Sequence, residues 1–319
     1  GGLRIASFFL RQRKLHSLEQ FWRSRMITPK GLGGLITSLL DGSGPEMLQR
    51  ATFVPAEGNP AFADQLDEFN RLKGEGVGDR SVWEQTGIYA GAATGNIPVA
   101  EITDDSADFL DGLPPVTGVD NNEYNPLGEA FNHPELFDQD PSQYPLADIN
   151  LETTDQTPDS PRRGYYHPGN LREAEKIFLS LGEETPDSTS ARSVLLHELQ
   201  HAVQERHEHM PGGASPRSLN ELGVGQYLAD NSPDFMELVP EDRRLTEEQL
   251  EYIDSNPEFT VNDIYAYLFN DGEALARATQ KRRDLTDEER RAKFPEDSLD
   301  VPSEAIILYQ EAVSALRKQ

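Results

Sequence analysis

The pentapeptide His197-Glu198-Leu199-Gln200-His201 constrains this chain more than any other feature. Its histidines stand four residues apart, and on a helix that puts them one turn apart on one face, where both imidazoles reach a single metal ion. Glu198 is rotated about a quarter turn from His197, placed to take a proton from water at the metal without being a ligand. Around the motif, Ala191, Val194, Leu195, Ala202 and Val203 recur at three- and four-residue spacing. Asp187-Ser188-Thr189 supplies an N-cap cluster and Pro211-Gly212-Gly213 a stop, so a helix is predicted from about Ser190 to about Glu208. H-E-x-x-H in such a helix is the signature of zinc hydrolases; the plainer alternative is a solvated helix that happens to carry two histidines.

Composition narrows the metal chemistry. The chain of 319 residues has no cysteine, so a zinc ion here must be held by histidine and carboxylate. At 36% hydrophobic residues it can bury a substantial core, and no apolar run approaches the length of a membrane span. Net charge is −27, unevenly spread: residues 1–30 hold seven Lys or Arg against Glu19, a local +6, which leaves −33 on the other 289. An acidic body of this kind repels nucleic acid and anionic membrane, so direct nucleic-acid binding is not expected. Solubility at high salt and mimicry of the charge of DNA are the two readings that the acidity leaves open.

The pattern divides the chain in three. Residues 1–50 read as a basic helical arm, with Leu3, Ile5, Phe8, Phe9, Leu10, Leu15, Leu18, Phe21 and Trp22 along it and a capping box at Ser17-x-x-Gln20. The arm suits docking on the acidic body; a transit peptide or membrane-surface helix is the alternative. Gly31-Leu32-Gly33-Gly34 breaks it. Residues 51–155 read as a subdomain with a short helix at 60–73, a β-hairpin (Ile88–Ala90 and Ile97–Ile102) and acidic Pro/Asn-rich loops. In those loops Asp104, Asp105, Asp108, Asp111 and Asp120 lack calcium-loop spacing and are expected to be solvated. Residues 156–319 read as an α+β domain. Its predicted strands are Gly164–Tyr166 and Ile177–Leu181, with a further strand at Ala147–Leu151 just before it, and a polar loop follows the H-E-x-x-H helix. C-terminal helices are signalled at Thr246-x-x-Gln249, Thr260, Thr286-x-x-Glu289 and Ser303.

Two histidines do not complete a catalytic zinc site, which needs a third protein ligand. His207 sits where the longer H-E-x-x-H-x-x-G-x-x-H pattern has its third histidine. Here the glycine of that pattern is Gln204, and a continuing helix rotates His207 by about 240° from His201. His209 is placed worse still. The other candidate is Glu273, beside Gly272 on an apolar, Ala-rich helical face, with Arg277 one turn on to pair with it or with a nearby acid. Spacing alone leaves His207 and Glu273 both open.

An ordered set of pieces from about Trp83 to Pro302 resembles the metallopeptidase-like domain of large polyvalent proteins of phages and prophages. The pieces are Trp83-x-x-Thr86-Gly87-x-Tyr89-x-Gly91, Glu101-Ile102 with Asp104-Asp105, His133-Pro134-Glu135-Leu136-Phe137, Tyr144-Pro145-Leu146 and Gly164-Tyr165-Tyr166. Then come Leu196 through Glu205, Gly272-Glu273-x-x-Ala276-Arg277 and the Leu-Thr-x-Glu-Glu-Arg run at 285–290. The resemblance implies a zincin-like, gluzincin-type α+β fold. It also implies His197, His201 and Glu273 as zinc ligands and Glu198 as catalytic base. One departure stands out: the family commonly has a second glutamate where this chain has Leu275.

The expected function is a zinc-dependent metallopeptidase in which Glu198 activates zinc-bound water to hydrolyse peptide bonds. Ile177–Leu181 is expected to be an edge strand that binds extended substrate, with Tyr265 or His207 stabilising the oxyanion. Its partners would be a protein or peptide substrate and other virion proteins, in the virion or the host cytoplasm. The alternatives are a non-catalytic, co-injected virion protein that keeps the zincin fold, and an acidic DNA mimic that inhibits host enzymes.

Overall fold

The computed structural model describes residues 51–318 apart from 105, 115–124, 138–144, 155–163, 170–173, 182–187, 208–209, 211, 256–259 and 283–284. The expected N-terminal arm, with its capping box and glycine break, lies outside the described residues, as do Asp105, Asp120, Asp187 and His209.

The architecture is α+β, with small sheets and many helices. The chain opens with β1 (Ala51–Pro55), α1 (Ala63–Gly74) and α2 (Asp79–Thr86), then β2 (Ile88–Tyr89) and β3 (Val99–Thr103). Phe69 and Leu72 of α1 are buried on the side that the spacing indicated. The hairpin partners β2 and β3 pair antiparallel as expected, but β3 is also paired along its full length with β1. That third strand gives the small sheet, order β1-β3-β2, enough apolar surface to be stable.

Next come β4 (Asp108–Phe109), α3 (Leu127–Ala130), β5 (Phe131–Asn132), α4 (Pro134–Phe137), β6 (Asn150–Thr154), β7 (Gly164–His167) and β8 (Lys176–Ser180). The strand expected at Ala147–Leu151 therefore begins later, after a 3₁₀ turn at Leu146–Asp148. The last three strands form a mixed sheet of order β6-β8-β7, with β6 parallel and β7 antiparallel to β8. The expectation that Ile177–Leu181 forms an edge is thus wrong. The strand is central, because the chain lays β7 down on its outer side before returning; among the described residues β7 is the outer strand beside the helix that follows. Asp104 also departs from expectation: it is fully buried, bonded to the equally buried His133.

The H-E-x-x-H helix is α5 (Ser188–Arg206). The region expected to be a polar loop holds two short helices, α6 (Pro216–Leu222) and α7 (Val224–Asn231). They meet at Gly223, whose φ of 74° closes the first helix in a left-handed conformation that glycine adopts without strain. α8 (Glu247–Asp254), α9 (Val261–Phe269), α10 (Asp271–Arg282), α11 (Asp287–Ala292) and α12 (Ser303–Leu316) complete the chain. Thr260 and Thr286 each close a capping box with the acid three residues on, and Thr246 exchanges hydrogen bonds with Gln249 in the same way.

A continuous apolar cluster runs from Phe53 to Ala312 and takes in α5 and all three sheets, the β4–β5 pair included. Because α5 is buried on several sides, it carries apolar residues around most of its circumference, among them Leu195, Leu196, Leu199, Ala202 and Val203. It packs on β7 and β8 on one side and on α10 on another. No helix of the described residues is long and apolar enough to cross a membrane.

Candidate metal centre

The site begins with how α5 is held. Gln200, inside the pentapeptide, faces away from the histidines and pairs with the backbone of β1: Phe53 N donates to its Oε1 at 2.9 Å, and its Nε2 donates to Phe53 O at 3.1 Å. This side chain completes a strand's hydrogen bonding as a neighbouring strand would, and so fixes the rotation of α5 about its axis. His197 and His201 then point toward α10. Their Nε2 atoms are 3.2 Å apart.

Glu273 arrives from the first turn of α10. The apolar run from Tyr265 to Arg277 spans two helices, α9 and α10, broken at Asn270, whose ψ of 125° leaves the helical region. Asn270 Oδ1 accepts from the backbone N–H of Glu273 at 2.8 Å, and its Nδ2 donates to Tyr309 Oη at 2.7 Å, so the turn is anchored on both sides. A carboxylate in a helix's first turn also gains from the positive end of the helix dipole. Glu273 Oε1 lies 3.4 Å from His201 Nε2, and Oε2 lies 3.6 Å from His197 Nε2.

These separations fit a metal ion. Ligands at about 2.0–2.1 Å from a tetrahedral zinc stand about 3.3–3.4 Å from one another. The side chains are 15%, 11% and 6% exposed, which leaves a narrow opening to solvent. Among the described residues, this is the one group of three or more metal-ligating side chains close enough to hold a metal ion. Burial opposes a charge on His201, but the Glu273 carboxylate outweighs it and pushes the imidazole up to about 9. Burial likewise opposes the charge on Glu273, and the two histidines overcome it and hold the carboxyl well below its ordinary range. A cation is therefore favoured between these groups, and a metal ion entering there must displace a proton.

Glu198 stands beside the group without joining it. Its carboxyl is buried, and that burial pushes its pKa up, with the two histidines acting against the shift and Glu273 adding to it. The backbone N–H of Tyr166, on β7, donates to the carboxylate. β7 can approach this closely because residue 164 is glycine. A Cβ there would collide with Val194 Cγ1 and press within 3.3 Å of Glu198 Cγ.

Two glycines do the same on the opposite wall. A Cβ on Gly272 would run into the backbone of Gly212, and one on Gly213 would lie 2.6 Å from both Glu273 Oε1 and His201 Cε1. The stretch Gly212-Gly213 thus crosses the start of α10 in contact with the ligands. Sequence reasoning treated this pair only as a helix stop.

Tyr267 was also missed. Its hydroxyl donates to Glu273 Oε2 at 2.7 Å, leaving Oε1 as the oxygen without that bond. Burial, followed by the Glu273 charge, raises its pKa well above the ordinary value, so it remains a donor. Tyr265, an expected oxyanion candidate, is buried elsewhere and accepts a hydrogen bond from Leu245 N at 3.1 Å. His207 is not a member of the metal-ligating group; it lines a groove of about 170 Å³ with Val54, Leu136, Leu146 and Val203. Arg277 pairs with Asp300 at 2.7 Å and donates to Leu268 O at 2.6 Å, which makes it a buried tie between helices.

In comparisons with known proteins, no family model, no curated protein and no solved structure matches this chain.

Proposed function

We propose that this chain is a zinc-dependent peptidase of the zincin, gluzincin-type class, with His197, His201 and Glu273 holding the metal and Glu198 as the base. The observation that carries the reading is the convergence of two imidazoles and a carboxylate, 3.2–3.6 Å apart, with the buried Glu198 carboxyl alongside. Zinc, when bound, would supply Lewis acidity and lower the pKa of water toward about 7.

The chain's own residues supply the rest. Glu198 takes the proton of the attacking water and hands it to the leaving amine, a role suited by a carboxyl whose pKa burial has raised. The Tyr166 N–H keeps that carboxylate in place between transfers. Tyr267, a donor on Glu273, holds the third ligand's orientation. The outer edge of β7, next to Glu198, is the surface along which an extended peptide would add to the sheet. By the family resemblance, the protein would act in a virion or in a host cell's cytoplasm.

The test is cleavage of a proteome-derived peptide library by the zinc-loaded protein, beside Glu198→Gln. New amino termini from the wild type and none from the variant are expected. Zinc binding without cleavage would mean a non-catalytic zincin fold. Salt-sensitive inhibition of a DNA-binding enzyme, with no zinc bound, would favour the DNA mimic instead.

A further inference from the structure

The position at which Gln204 replaces the glycine of the longer histidine pattern does more than block that pattern. Gln204 is buried and makes two hydrogen bonds: its Oε1 lies 2.8 Å from His201 Nδ1, and its Nε2 lies 3.0 Å from the backbone oxygen of Gly272. The direction of both bonds follows from elementary chemistry. A peptide carbonyl can only accept, so the amide must turn its NH₂ toward Gly272. Its oxygen then faces His201 and can itself only accept. His201 must therefore carry a hydrogen on Nδ1, which leaves Nε2 as the atom directed at His197 and Glu273.

The second bond has an equally specific end point. Gly272 immediately precedes Glu273, so one side chain clasps one metal-facing imidazole and the backbone beside the metal-facing carboxylate. Gln204 lies three residues after His201 on the same helix, and its amide spans the gap from α5 to α10. We infer that Gln204 is the positioning residue of the metal centre: it holds a hydrogen of His201 on Nδ1 and so keeps Nε2 for the metal, while its bond to Gly272 ties α10 to α5. This rests on the metal-binding reading above. Partners of this type on a ligand's remote nitrogen typically control metal affinity about 10- to 100-fold.

Two substitutions separate the two bonds. Gln204→Glu keeps an acceptor for His201 and loses the donor to Gly272; Gln204→Met fills similar space and keeps neither. Two quantities are measured in the full chain: zinc affinity, by competition with a chromophoric chelator, and solvent exchange of the His201 ring N–H in ¹⁵N-histidine-labelled, metal-free protein. Gln204→Met is expected to bind zinc about 10- to 100-fold more weakly, with its Nδ1 hydrogen exchanging fast. Gln204→Glu should stay close to the wild type in both, while melting at a lower temperature because the tie to Gly272 is gone. A merely structural role predicts the reverse: both variants melt lower and neither changes affinity. The inference is overturned if Gln204→Met binds zinc like the wild type, or if Gln204→Glu is as weak as Gln204→Met. Should the wild-type protein take up no zinc, the metal reading fails by itself. The ring N–H then still decides whether Gln204 holds Nδ1: protection in the wild type and its loss in Gln204→Met supports it, and no difference overturns it.

Discussion

At His133 a buried imidazole meets Asp104 with Nε2 and Oδ1 only 2.6 Å apart, and both side chains are wholly shielded from solvent. At His197 and His201 the imidazole nitrogens stand 3.6 and 3.4 Å from the oxygens of Glu273. A charge-assisted N–H···O bond settles near about 2.7–2.9 Å. The first pair is thus bonded directly through Nε2, with Thr52 adding a further hydrogen bond to Asp104 at 3.4 Å and His133 Nδ1 facing Glu135 Oε2 at 3.7 Å. It joins the end of β3 to the segment between β5 and α4. The second is held apart by its supports, Gln204 behind His201 and Tyr267 and Asn270 behind Glu273. Its donor atoms converge at 3.2–3.6 Å, wider than such a bond. Residue types alone do not separate a structural histidine from a ligand; what separates them is whether the partner is reached directly or kept at the span of a metal ion.

The contrast can be broken at several points, in descending order of effect. Glu198→Gln should retain zinc and lose about 10²- to 10⁴-fold in turnover, because it removes a proton acceptor and no ligand; peptide kinetics beside metal analysis checks this. Asp104→Asn should cost about 1–3 kcal/mol of folding stability in denaturant titrations, the range for disturbing a buried hydrogen-bonded pair, and leave zinc affinity unchanged. If zinc binding fell with it, the two clusters would not be independent. Gly213→Ala should weaken zinc binding while hardly moving the melting temperature of the metal-free protein, since the residue is exposed but its new methyl would press on His201 and Glu273. His207→Ala should change neither metal content nor affinity, and an equilibrium dialysis that showed otherwise would return it to the ligand set.

Much of this was legible in the sequence because the deciding interactions are local. The H-E-x-x-H helix and the capping boxes at Thr260 and Thr286 depend on residues three or four apart, which a linear reading captures directly. Glu273 was legible as a candidate through its neighbour Gly272, although the reason for that glycine is the backbone of Gly212 and not a helix interior. Non-local features were not legible. β1 ends in a proline and owes its existence to β3, whose Thr103 pairs with Ala51 across a long stretch of chain. The central place of β8 depends on the order in which strands are laid down, which no periodicity records. α6 and α7 were hidden by Gly223 and Gly225, which read as loop although one caps a helix and the other lets α7 approach Asp263. Tyr267 reaches Glu273 only because the chain breaks at Asn270, so no helical spacing connects them.

The central claim is that His197, His201 and Glu273 together hold one metal ion, and the most direct measurement is zinc content per chain after purification in zinc-replete medium, for the wild type and for Glu273→Ala. The account predicts about one zinc for the wild type, as three protein ligands and one open position require, and a sharp loss in the variant. A wild-type protein without zinc, or a Glu273→Ala protein that keeps its full complement, would contradict it.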